Sequence, residues 1–118
     1  MVRPKPVLTP LPSDRRAAPG HLRPATAEWW DLLVDEFRFA EQDYPILEGA
    51  CSAWDRAVEA REAIARDGLV TLDRFGSPKV HPAASAERES LLVFARLLRE
   101  LGLDLAPPDS RPPSRVRR

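Results

Sequence analysis

Residues 43–68, DYPILEGACSAWDRAVEAREAIARDG, constrain the fold more than any other stretch. At 100° per residue, Ile46, Leu47, Ala50, Cys51, Trp54, Ala57, Val58, Ile64 and Ala65 fall on one side. Glu48, Ser52, Asp55, Glu59 and Glu62 fall on the other. The spacing predicts one long amphipathic helix over 43–67. Asp43 is the expected N-cap, because its carboxylate can accept from free first-turn amides, and Pro45 is tolerated there. Gly68 suits the left-handed position just past a helix end, and Arg66 suits the negative end of the dipole. Such a helix needs partners for its apolar stripe, and the remainder of the chain has to supply them.

That remainder is short. Of the 13 prolines in 118 residues, five lie in 1–23 and four in 104–118. A folded unit of roughly 80 residues, 24–103, is therefore expected between two disordered arms. A unit of that size buries only about 60% of its unfolded surface and gains from oligomerisation. The net charge of zero hides an asymmetry: residues 1–23 carry +4, residues 104–118 carry +2, and residues 24–103 carry −6. Basic arms on an acidic body suit contact with phosphate or with an acidic partner, although solvated tails read the same way.

Pro24 opens a first helix expected to run to about Ala40. Its apolar residues Trp29, Trp30, Leu32, Leu33, Val34, Phe37, Phe39 and Ala40 span about 220°, whereas one packing seam needs about 100°. The excess predicts two partners, one inside the subunit and one in a neighbouring copy, against the competing reading of a helix buried between the other two of the same chain. Trp29, Trp30, Phe37, Trp54 and Arg61 are the candidate interface residues. Arg61 is anomalous, a charge near the centre of an apolar stripe, and is expected to meet Glu36 or Glu87 or to snorkel.

After Gly68, Leu69, Val70 and Leu72 favour a strand, FGSP is turn chemistry, and Lys79-Val80 can return, so a β-hairpin is expected over 69–80. Two strands alone are barely stable, so the hairpin must lean on the helices or on a neighbour's hairpin. A third helix follows over 82–101, with Leu91, Phe94, Ala95, Leu98 and Leu101 as its stripe and Gly102 as its stop. The fold class is thus mainly α: three helices, a small hairpin and two basic arms.

The chain carries no glycine-rich phosphate loop, no Cys/His metal set and no serine–histidine–acid arrangement. Cys51, on the apolar stripe, reads as a buried thiol, His21 lacks neighbours at ligand spacing, and His81, before a proline at a helix start, is expected to have a local hydrogen-bonding or packing role. No cofactor and no catalytic role is expected. No run approaches the ~18 apolar residues of a membrane span and no signal peptide is visible, so a cytoplasmic protein is expected.

The order of elements resembles the phage terminase small subunit family. HLRPATAEWWDLL, DYPILEGACSAWDRAVEAREAI, DGLV, KVHPA and LLRELGLDLAPPDSR carry the resemblance, in that order, over about residues 20–115. The proline-rich tail is longer than the family's short Ser-x-Arg ending. The resemblance implies a non-enzymatic subunit that assembles into a ring in the host cytoplasm. It further implies recognition of double-stranded viral DNA and delivery of it to the large terminase subunit, whose ATPase and nuclease are modulated. Because the acidic body repels a duplex, local cations are the DNA-binding candidates. These are Arg3, Lys5, Arg15 and Arg16, Arg74 and Lys79 on the hairpin, and Arg111, Arg115, Arg117 and Arg118.

Two alternatives compete. A transcription regulator would use the short corner between the first two helices as a helix-turn-helix, but the second helix shows mostly Glu and Asp outward. A protein-interaction scaffold would dock its arms on an acidic partner instead of DNA.

Overall fold

The computed structural model describes residues 5–6 and 16–108, and the remainder of both arms lies outside the described residues. The elements are β1 (Lys5–Pro6), α1 (Pro24–Glu36), β2 (Phe37–Arg38), α2 (Asp43–Asp67), β3 (Val70–Leu72), β4 (Pro78–Val80) and α3 (Ala83–Leu101). The long helix spans the residues expected of it. α3 ends in a Schellman closure: Gly102 at φ 75° donates to the Arg99 carbonyl, and the Leu103 amide donates to that of Leu98.

α2 is the spine. α3 packs along one side of it through Leu47, Trp54, Phe94, Leu98 and Leu101, all buried. α1 and the chain leading into it lie across another side. That second contact makes Asp55, expected to face solvent, a buried residue at 7% exposure. Its Oδ2 accepts from the Arg23 amide at 2.9 Å and its Oδ1 from the Thr26 hydroxyl at 2.6 Å. The carboxylate therefore sits at the positive end of α1, where no side chain of α1's own N-cap serves. Two turns further on, Glu62 accepts from the Arg23 guanidinium at 2.8 Å, and His21 lies 3.0 Å from the Ser52 hydroxyl. One face of α2 thus reads the start of α1.

α1 stops at Glu36, four residues short of the expected end. Phe37 is extended (φ −123°, ψ 151°), and β2 pairs antiparallel with β1, Lys5 opposite Arg38 and Pro6 opposite Phe37. The sequence carries the reason: in Phe37-Arg38-Phe39 the aromatics alternate with an exposed arginine, which is strand period. Phe39 turns in against Tyr44 with ring centroids 5.8 Å apart, an anchor a continuing helix would misplace. Asp43 is the first residue of α2, not its N-cap. It is fully buried, and its Oδ2 accepts from the Ala40 amide at 2.9 Å while its own amide donates to the Ala40 carbonyl. This reciprocal pair clamps the corner, as the return half of a capping box does.

The two tryptophans of α1 correct the expectation of a neighbouring copy. Trp30 is 1% exposed, packs near Tyr44 and donates its indole N–H to the Arg16 carbonyl at 2.8 Å. Trp29 is buried against Phe94 and donates to the Ala106 carbonyl at 3.0 Å. The covering segments are 16–22 and 103–108, where Leu22, Leu103 and Pro108 are buried. The packed unit therefore reaches outward past 24–103 at both ends. The chain's own flanks and helices thus bury Trp29, Trp30, Leu33 and Val34 of the wide apolar arc of α1, while Leu32 stays 64% exposed.

Candidate nucleic-acid and assembly surfaces

The hairpin is built by a turn that needs its residues. Asp73 Oδ1 accepts from the Phe75 and Ser77 amides at 2.8 and 2.9 Å, and Gly76 takes φ 78°, which a side chain would strain. Register runs Val70 opposite Val80, Thr71 opposite Lys79 and Leu72 opposite Pro78. At the base, the His81 amide donates to the Leu69 carbonyl at 2.6 Å. His81 Nδ1 accepts from the Ala83 amide at 3.0 Å, so Nε2 carries the proton and donates to Asp67 at 2.9 Å. Bonds from Arg66 and then from His81 hold the Asp67 carboxyl below its ordinary pKa. The hairpin is thus anchored where α2 ends and α3 begins.

It is not covered. Leu69, Val70, Leu72, Phe75 and Val80 are between 54% and 78% exposed. Val70 and Leu72 on one strand and Val80 and Pro78 opposite them share one face of the ribbon, and that face is open to solvent. An exposed apolar cluster of this kind marks an interaction surface. Arg74 and Lys79 are exposed on the same hairpin, and the Arg74 guanidinium lies 5.1 Å from the centroid of the Phe75 ring.

The other candidate residues fall differently. Arg16 is tied down: it pairs with Glu41, stacks 4.2 Å from the Tyr44 centroid, and its pKa is raised mainly by the Glu41 bond. Arg3, Arg15, Arg111, Arg115, Arg117 and Arg118 lie outside the described residues, and of Lys5 only the backbone is described. Trp29, Trp30 and Trp54 are core residues, with the Trp54 ring 5.2 Å from that of Phe94. Phe37 is half-buried beside Phe39. Arg61 is exposed at the rim of the α2–α3 seam, not central to it, and its Nε donates to Glu87 at 3.0 Å within the same chain.

Among the described residues no three His, Cys, Asp or Glu are disposed to hold a metal. A groove of about 210 Å³ is lined by His21, Ser52, Asp55, Arg56 and Glu59, but its Asp55 is committed to α1. Burial, then the charges of Asp55 and Glu48, push the Cys51 thiol up to about 12, which makes it inert. No described helix is long and apolar enough to cross a membrane.

What the geometry defines is a small helical subunit whose informative features are surfaces: an exposed apolar hairpin with two cations, on an acidic helical body. A family model for the small subunit of phage terminase matches residues 25–111, so this chain belongs to that family and has a role related to phage genome packaging. The match takes in all three helices and the hairpin. No curated protein and no solved structure matches the chain.

Proposed function

We propose that this chain is the non-catalytic adaptor of a packaging motor in the host cytoplasm. Copies close into a ring, bind double-stranded viral DNA, and deliver it to the large terminase subunit, whose ATPase and nuclease they modulate. The family match carries this reading. Physical support for self-association comes from the hairpin, whose five exposed apolar residues need cover that the subunit does not provide. A contact between unlike patches of identical chains must close or grow into fibres, which favours a ring. Phosphate contact falls to Arg74, Lys79 and the basic arms, since the folded body is acidic. The helix-turn-helix alternative loses ground, because the middle of one α2 face, at Ser52, Asp55 and Glu62, is occupied by His21, Thr26 and Arg23.

The test is duplex binding over a salt series, paired with the ATPase rate of the cognate large subunit. Binding that weakens steeply between roughly 50 and 200 mM salt, together with an altered ATPase rate, is expected. No duplex binding at the low end and no effect on the large subunit would overturn the reading.

A further inference from the structure

The solvent face of α3 holds an arrangement that the hairpin and arms do not account for. Ser85, Arg88, Leu92, Arg96 and Arg99 fall within about 80° of arc at 100° per residue. All five are exposed, Leu92 at 64%. The three arginines cover about 16 Å of helix axis at 1.5 Å per residue. None makes an ion pair with a described residue. Four other arginines are neutralised, Arg16 by Glu41, Arg23 by Glu62, Arg61 by Glu87 and Arg66 by Asp67, whereas Arg38, Arg56 and Arg74 stand apart from one another without an ion pair to a described residue.

The contrast between helices sharpens this. α1 carries Glu28, Asp31, Asp35 and Glu36 and no cation. α2 carries six carboxylates and three arginines. α3 carries three of each, but Glu87 is drawn to Arg61 across the α2 seam. Glu89 and Glu100 stand at one margin of the arginine strip, about 100° and 120° round from Arg88.

We propose that this face of α3 is a contact strip for the phosphate backbone of duplex DNA, with Arg88, Arg96 and Arg99 as the phosphate-binding residues. The inference rests on the DNA-binding part of the proposed function and adds a further contact on the folded body to those of the hairpin and the arms. B-DNA carries one charge per 3.4 Å of axis on each strand, so a rod of about 16 Å lies beside roughly five phosphates. Guanidinium groups match phosphate oxygens in a bidentate fork, and a helix holds them at fixed spacing. Leu92, amid the arginines, offers apolar surface to the sugars. The strip presents no Asn or Gln to read base edges, so it tracks the backbone without sequence preference. Glu89 and Glu100 confine the approach to the arginine side.

The test uses the full-length chain with R88Q, R96Q and R99Q combined, substitutions that keep good helix propensity at exposed sites. Helical signal and assembly mass serve as controls, and R74Q with K79Q is the comparison variant. The dependence of log affinity on log salt is expected to flatten by about 3 for each subunit engaging the duplex, equally on unrelated sequences. Lysines at the three positions are expected to restore most of the slope. If the triple variant loses helical signal, single R96Q should still flatten the slope by about 1. A wild type that binds DNA while the variant keeps its affinity and slope would overturn the α3 strip and leave the proposed function standing. A variant that binds DNA normally but no longer engages the large subunit would also overturn it, giving this face to a protein partner. A wild type with no duplex affinity at low salt would overturn both.

Discussion

The helical core and the hairpin treat apolar residues in opposite ways. In the core, even the indoles of Trp29 and Trp30 are closed off, by carbonyls of Ala106 and Arg16. In the hairpin, Leu72 and Phe75 are 69% and 78% exposed. The backbone of the hairpin is nonetheless well determined, by Asp73 at the tip and His81 at the base. A greasy surface on a well-braced support is what a docking element needs, because little ordering cost remains at the moment of binding. The difference separates residues that make the subunit stable from residues that make it associate.

Substitutions should divide along that line. Trp30→Ala removes a buried ring and its hydrogen bond, with an expected loss of about 3–5 kcal/mol in a thermal or urea melt. A loss below about 1 kcal/mol would mean that the flank at 16–22 does not hold the indole. Asp55→Ala is expected to cost about 1.5–3 kcal/mol, since it strips the Arg23 amide and the Thr26 hydroxyl of a charged acceptor. Hydrogen exchange should then rise at the start of α1 and not in α3. Leu72→Gln with Phe75→Gln should shift stability of the isolated subunit by no more than about 0.5 kcal/mol, yet reduce the assembly mass. An unchanged mass would remove the hairpin from the contact. Smallest of all, Cys51 in the folded chain should resist alkylation at pH 8 and react only in denaturant, because its pKa stands near 12.

Much of the core was legible in the residues. The limits of α2, the hairpin and the glycine stop of α3 are local features, written in periodicity and turn chemistry. Three things were not, for three reasons. Phe37-Arg38-Phe39 is too short for its period of two to compete with the helical run before it. Asp55 looks like a solvent residue until α1 is laid across α2, because its partners are 29 and 32 positions away. The cover over Trp29 and Trp30 comes from proline-rich flanks whose composition resembles tail. Their backbone carbonyls, which any sequence offers, do the closing. The arginines of α3 were visible as outward residues, but their lining up on one open face shows only once the pairing across the α2–α3 seam is known.

Self-association through the hairpin is the claim on which the packaging reading stands physically, and the mass of the purified chain tests it most directly. Native mass spectrometry with light scattering at micromolar concentration should show one closed multimer of fixed stoichiometry. A lone 13.2 kDa particle, with the hairpin open to solvent, would contradict it.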